Sequence, residues 1–135
     1  MDYFDTNVYI YAFCKNIDDE EQKKLSQKLL KQSILNRNLV ISEIILYEFA
    51  FICKKLKEDE AVINKNLEFL SRYSKSTNKS VSFRVLEIFN QTNLHQSSFD
   101  IFHLAFCEEN RCKLITFDKG FKKLKNIAKS EIVVL

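Results

Sequence analysis

Proline and tryptophan are absent from the 135 residues, and glycine occurs once, as Gly120. A single glycine excludes the glycine-rich loops that cradle phosphates, where several backbone amides must approach the anion with no side chain between. No apolar stretch nears the ~18 residues of a membrane span. The opening Met1-Asp2-Tyr3-Phe4-Asp5 lacks the basic start and apolar stretch of a secretory signal. The expectation is a cytoplasmic protein with no membrane partner. The four cysteines, Cys14, Cys53, Cys107 and Cys112, include no C-x-x-C pair, and His95 and His103 complete no zinc spacing. Cys53 and Cys107 fall in apolar helical patterns, where cysteine acts as a small hydrophobe, so reduced core or near-surface thiols are expected. No repeat, linker or low-complexity break divides the chain, which reads as a single domain over residues 1–135.

What is present supports a dense core. Hydrophobic residues make up 46%, with twelve Phe and five Tyr, beside 29% charged residues. A chain of this length can bury roughly two-thirds of its unfolded surface. The net charge of +3 is mild, but Lys119, Lys122, Lys123, Lys125 and Lys129 fall together without an acid among them. Lys65, Arg72, Lys75, Lys79 and Arg84 form a looser second series. Such stretches attract a polyanion; they equally describe a solvated lysine-rich face.

Strand and helix patterns alternate along the chain. Met1 to Phe4 reads as a short strand. Acids at Asp18 to Glu21 precede Leu25, Leu29, Leu30, Ile34 and Leu35 at helical spacing, and are first-turn charges facing a helix dipole rather than a metal site. Asn38 to Ile41 is β-prone, and Ser42 caps a helix running to about Lys57. A helix from Ala61 to Tyr73 precedes a polar break at Ser74 to Asn78. Ser80 to Phe83 reads as a strand and Arg84 to Gln91 as a helix. Ser97 or Ser98 opens a helix to about Asn110, followed by a strand at Lys113 to Phe117, a helical turn at Gly120 to Lys125, and a strand at Glu131 to Leu135. This alternation predicts an α/β domain with a mostly parallel sheet covered on both faces, whose ligands bind beyond the carboxyl ends of the strands.

Four acids interrupt apolar segments: Asp5 in Tyr3-Phe4-Asp5-Thr6, Glu48 in the run Ile44 to Cys53, Asp100 in Phe99-Asp100-Ile101-Phe102, and Asp118 after Leu114 to Phe117. An ionised carboxylate in such surroundings costs several kcal/mol unless compensated. Four of them point to a shared compensator, for which a divalent cation is the usual choice. Each also has a local explanation. Asp5 fits the cap of a following turn, Asp100 the third residue of a capping box opened by Ser97, and Asp118 the turn before Lys119-Gly120. Glu48 resists that treatment, because neighbours on nearly every face of its helix are apolar. Glu43, just after Ser42, is explained by the helix dipole.

Asp5-Thr6-Asn7, Ser42-x5-Glu48-Phe49, Asp100-x2-His103-Leu104-Ala105 and Thr116-x-Asp118-x2-Phe121 together resemble the PIN-domain nucleases, and the length is similar to the toxin ribonucleases of bacterial toxin–antitoxin pairs. The resemblance covers nearly the whole chain. It implies a three-layer α/β/α sandwich and metal-dependent cleavage of single-stranded RNA. It also implies an acidic site of Asp5, Glu48, Asp100 and Asp118 holding Mg²⁺ or Mn²⁺, with Thr6, Asn7 and Thr116 as polar supports. An RNA substrate, a cognate antitoxin and a homodimer are the partners it implies. The alternative is a non-catalytic RNA- or protein-binding module of the same fold.

The chemistry follows from charge. A phosphodiester is repelled by bare carboxylates, and a cation held by them reverses that sign. Other reactions fail on residue type. A phosphatase of the haloacid-dehalogenase kind needs a second Asp where Asn7 stands, and neither His95 nor His103 lies in a nucleophile-elbow context. His103 is expected as a partly buried packing residue.

Overall fold

A computed structural model describes residues 1–92 and 98–135; His95 and Ser97 lie outside the described residues. The first strand, β1 (Asp2–Phe4), runs straight into helix α1 (Thr6–Phe13). The sequence predicts only a turn there, since Thr, Val, Tyr and Ile are weak helix formers. Burial overrides that propensity: Val8, Tyr9, Ile10 and Ala12 are all inside, and Asp5 caps the first turn. Helix α2 (Glu20–Leu35) starts at its acidic cap Asp19, as the charge pattern predicts.

Strand β2 (Ile41–Ser42) leads into α3 (Glu43–Lys55), capped by Ser42. Helix α4 (Glu60–Ser71) and the short β3 (Ser74–Lys75) follow. The segment read as a strand, Ser80 to Phe83, is instead the first turn of α5 (Lys79–Gln91). The reason is local: Asn78 accepts the Val81 amide as a cap, and Val81 and Ile88 then point inward at helical spacing. Helix α6 (Ser98–Glu109), β4 (Lys113–Thr116), a 3-10 helix (Lys119–Leu124) and β5 (Ile132–Val134) complete the described chain.

Among the described residues all strand pairings are parallel, in a three-stranded sheet ordered β1-β4-β5 and a two-stranded one, β2-β3. The two are joined edge to edge through Asp2, whose amide donates to the Asn38 carbonyl and whose carbonyl accepts from Val40. Helix α1 packs on α2 and α3, α3 on α4, and α5 on α6, while α1 and α6 both lie against β4. This is the α/β/α arrangement expected of parallel strands joined by helical crossovers. Tyr3, Phe4, Phe49, Phe106 and Phe121 fill its core, and all four cysteines are buried and free. Among the described residues no helix is long and apolar enough to cross a membrane.

The scarcity of glycine leaves a mark on the helix ends. Arg37, Lys57 and Arg111 take the left-handed conformation just past α2, α3 and α6, with φ of 55°, 58° and 55°. There the Asn38, Glu58 and Cys112 amides reach back to the carbonyls of Ser33, Cys53 and Cys107. These are helix stops normally assigned to glycine, and each side chain held there costs about 1 kcal/mol.

Candidate active site

Asp5 follows the carboxyl end of β1, where its amide donates to the Ile115 carbonyl of β4 at 2.9 Å. Its carboxylate is buried and ringed by neutral donors. Oδ1 accepts from the Thr6 amide at 2.7 Å, and Oδ2 from Thr116 Oγ1 at 2.7 Å and Asn7 Nδ2 at 2.9 Å. Thr116, at the end of β4, also accepts from the Asp118 amide at 2.9 Å. Asn7 braces the same junction, taking the Phe117 amide on Oδ1 at 3.4 Å. Burial pushes the Asp5 carboxyl above its ordinary range; His103, Thr116 and Thr6 oppose the shift, and nearby Glu48 adds to it.

Glu48 reaches the same place from α3. Its Oε1 accepts from Thr6 Oγ1 at 3.1 Å, so Asp5 and Glu48 hold opposite ends of one threonine. The apolar neighbours on nearly every face of α3 are not all buried, because Tyr47 and Phe51 are 64% and 65% exposed. Glu48 instead lies at the margin of the core, its side chain 25% exposed.

His103 departs from its expected packing role. It is almost wholly buried, with both ring nitrogens engaged: Nε2 lies 2.7 Å from Glu48 Oε1 and Nδ1 2.6 Å from the Tyr3 hydroxyl. Tyr3 in turn lies 2.7 Å from Ser42 Oγ. Tyr3, Ser42 and His103 thus form a polar line through the core behind Glu48. Sequence reasoning read Ser42 as a helix cap and part of the motif Ser42-x5-Glu48-Phe49, and Tyr3 as one residue of the first strand, with no further polar role for either. The available signal was a polar tip at three positions otherwise surrounded by apolar residues.

The remaining two acids sit differently. Asp100 is partly buried in the first turn of α6, three residues before His103 and so on the same helix face. Asp118 is exposed, correcting its reading as an acid sunk in an apolar segment. It caps the 3-10 helix, its Oδ1 accepting the Gly120 amide at 2.7 Å, as its local explanation predicts. Asp5 and Glu48 meet across Thr6, and Asp118 joins Asp5 through backbone and Thr116 rather than through its carboxylate. Asp100 is tied to the group by its place on the helix of His103.

Among the described residues, no three His, Cys, Asp or Glu side chains gather closely enough to hold a metal ion as they stand. The donor chemistry nonetheless suits a hard divalent cation. Asp5 and Glu48 offer carboxylate oxygens only, and the buried Asp5 has neutral hydrogen-bond donors but, among the described residues, no lysine or arginine partner.

A family model, that of the PIN domain, matches residues 3–127. No curated protein matches the sequence. Among solved structures, VapBC2 from Rickettsia felis, crystallised bound to a DNA fragment from their promoter, contains a similar chain. The TM-score is 0.73 at 24% identity, over 100% of this chain and 99% of that one. A toxin–antitoxin complex from Klebsiella pneumoniae contains another, at TM-score 0.67 and 21% identity, covering 99% and 97% of the two chains.

Proposed function

The chain belongs to the PIN domain family, and from that premise we propose that it is a metal-dependent endoribonuclease acting on single-stranded RNA in the cytoplasm, as the toxin of a toxin–antitoxin pair. The observation that carries the reading is the buried Asp5 carboxylate at the strand ends, facing Glu48 across Thr6 with no lysine or arginine bonded to either among the described residues. Two acids that share one threonine favour a positive ligand.

In this reading Asp5, Asp100 and Asp118 hold Mg²⁺ or Mn²⁺, and Glu48 binds it directly or through water. The ion supplies positive charge for the phosphodiester and for activating water. Thr116 and Asn7 fix Oδ2 of Asp5, the Thr6 amide fixes Oδ1, and Thr6 Oγ1 fixes Glu48. Such bonds hold ligands in register. Exposed Lys119, Lys122, Lys123 and Lys125 lie on and just after the 3-10 helix that Asp118 caps, a basic rim for RNA. The second basic series is weaker than its sequence implies, because Arg84 is committed to Glu108 and Glu87.

An apolar groove of about 620 Å³, lined by Asn7, Ile10, Tyr11, Ile17, Ile52 and Leu56, runs up to the site at Asn7 and suits an antitoxin segment. Exposed Tyr47, Phe51, Phe83 and Leu86 supply apolar surface for a homodimer.

Purified protein should cut single-stranded RNA with Mn²⁺ or Mg²⁺ and stop on adding EDTA. Unaltered cleavage by Asp5→Asn would remove the site assignment. That no three His, Cys, Asp or Glu side chains among the described residues gather to hold a metal ion favours a second reading, a non-catalytic binding module. That reading requires RNA retention without metal and no cleavage with any divalent ion.

A further inference from the structure

We propose that His103 is a positioning residue for Glu48, locked in a single tautomer by a hydroxyl relay through Tyr3 and Ser42. The inference rests on the nuclease reading for its consequence but on hydrogen-bond geometry for its form. Ser42 and Tyr3 are wholly buried and His103 nearly so, so each of their protons needs an acceptor.

The relay has a direction. The Ile45 amide donates to Ser42 Oγ at 3.4 Å, as the cap of α3. If the Tyr3 hydroxyl also donated to Ser42, the Ser42 proton would have no acceptor among the described residues. With Ser42 donating to Tyr3 and Tyr3 donating to His103 Nδ1, every proton is used. Nδ1 is then an acceptor, and the imidazole proton sits on Nε2, 2.7 Å from Glu48 Oε1. Thr6 Oγ1 donates to the same oxygen at 3.1 Å. Two donors therefore pin Oε1, while no hydrogen bond among the described residues falls on Oε2, which remains for the ion or its water.

The relay also links the elements of the site. Tyr3 belongs to β1, Ser42 and Glu48 to β2 and α3, and His103 to α6, one turn from Asp100. A carboxylate on a helix margin is otherwise free to swing with its side-chain rotamers. A buried imidazole with both nitrogens committed removes that freedom, as the outer partners of ligands do in metal sites.

Nitrogen-15 NMR of the metal-free protein, with His103 assigned by difference against His103→Gln, tests the relay directly. One protonated and one bare ring nitrogen are expected, the proton on Nε2. Glu48→Leu, which removes the carboxylate and leaves Tyr3 against Nδ1, should keep the proton on Nε2, because the relay alone then holds the tautomer. A protonated Nδ1 in the wild type or in Glu48→Leu would overturn the proposal. Mn²⁺ affinity and RNA cleavage test its consequence. His103→Leu should weaken Mn²⁺ binding or lower kcat by about 10- to 100-fold with KM for RNA little changed. His103→Gln, whose amide can still donate toward Glu48, should recover most of the loss. Equal defects in the Leu and Gln variants, both folded by circular dichroism, would reduce His103 to a packing residue. Should the wild-type protein cut no RNA under any divalent ion, the nuclease reading fails, and the NMR and Mn²⁺ titrations still decide whether His103 positions Glu48.

Discussion

Two regions of the molecule bury a carboxylate, and they answer its charge in opposite ways. On α6, the Glu108 side chain is only 6% exposed, yet Arg84 from α5 donates to both of its oxygens and the Lys129 amide adds a third bond. Arg84 also reaches Glu87 and the Ile127 carbonyl, and the Glu108 hydrogen bond holds its guanidinium above the usual range. That cluster clamps α5, α6 and the approach to β5. At the strand ends, the hydrogen bonds to Asp5 come from neutral donors, with a second acid and His103 nearby and no arginine or lysine partner among the described residues. Burial of an acid is common to both; a built-in cation is not. The first arrangement is complete by itself, whereas the second lacks a built-in counter-charge, as the proposed metal site requires.

The sharpest way to break this contrast is to neutralise Asp5. Asp5→Asn should abolish metal-dependent RNA cleavage down to the level seen with EDTA, while the protein still folds. Cleavage measured on a labelled single strand checks the first half and circular dichroism the second. Arg84→Met should do the reverse: removing one partner strands Glu108 in the interior and costs about 3 kcal/mol of stability, with cleavage per folded molecule unchanged. Urea denaturation reads that loss. Replacing both partners, as Arg84→Met with Glu108→Leu, should recover much of it, because a buried ion pair contributes little over a well-packed apolar pair. An Arg84→Met protein that is stable but inactive would merge the two regions and end the comparison.

A smaller effect separates the regions by pH. Asp5 is raised above the ordinary carboxylate value of about 3.9, chiefly by burial. The folded chain therefore keeps its proton where the unfolded chain has lost it. Between those two values the native state binds more protons, so the unfolding free energy falls as pH rises through the window and stays lower above it. This contribution to the metal-free protein's pH dependence should disappear in Asp5→Asn. Urea midpoints across the acid range compare the two, and identical pH slopes would show that Asp5 is not the source. Added Mn²⁺ should restore stability on the high-pH side in the wild type only.

Much of the fold was legible because its signals are local. Ser42 before an apolar helical run and the acids before Leu25 mark helix starts that the structure reproduces. Helix α1 was not legible, since its Thr-Asn-Val-Tyr-Ile start favours a strand and only contact with the sheet reverses that preference. Ser80 to Phe83 misled for the same reason in miniature, Val81 and Phe83 alternating like a strand until Asn78 caps them into a helix. Interruption of an apolar run picks out Asp5 and Glu48, which the structure brings to the two ends of Thr6. The same signal passes over Glu108, which is more buried than Glu48, because an acid beside Glu109 near a helix end looks solvated. It overstates Asp118, which is exposed. The relay of Tyr3, Ser42 and His103 joins residues 39 and 100 positions apart, a distance no sequence pattern encodes.

Asp118 is the acid whose side of the comparison is least fixed, and Gly120 offers a gentle way to probe it. The Asp118 Oδ1 already caps the Gly120 amide at 2.7 Å. A Cβ at position 120 would stand 3.0 Å from that same oxygen, so the carboxylate must give by a few tenths of an ångström. Gly120 has no positive φ, so the backbone tolerates alanine. Stability should change little, since a gain of about 0.4–1 kcal/mol from a stiffer unfolded chain is offset by a weaker cap. Cleavage is another matter if Asp118 holds the ion, because a 1 Å misplacement can cost roughly 100-fold, and a shift several times smaller should cost about threefold. Gly120→Ala with unchanged melting and a threefold lower kcat would place Asp118 with Asp5, as an acid oriented for a ligand. Unchanged kcat would place it with Glu108, as an acid whose work ends within the fold.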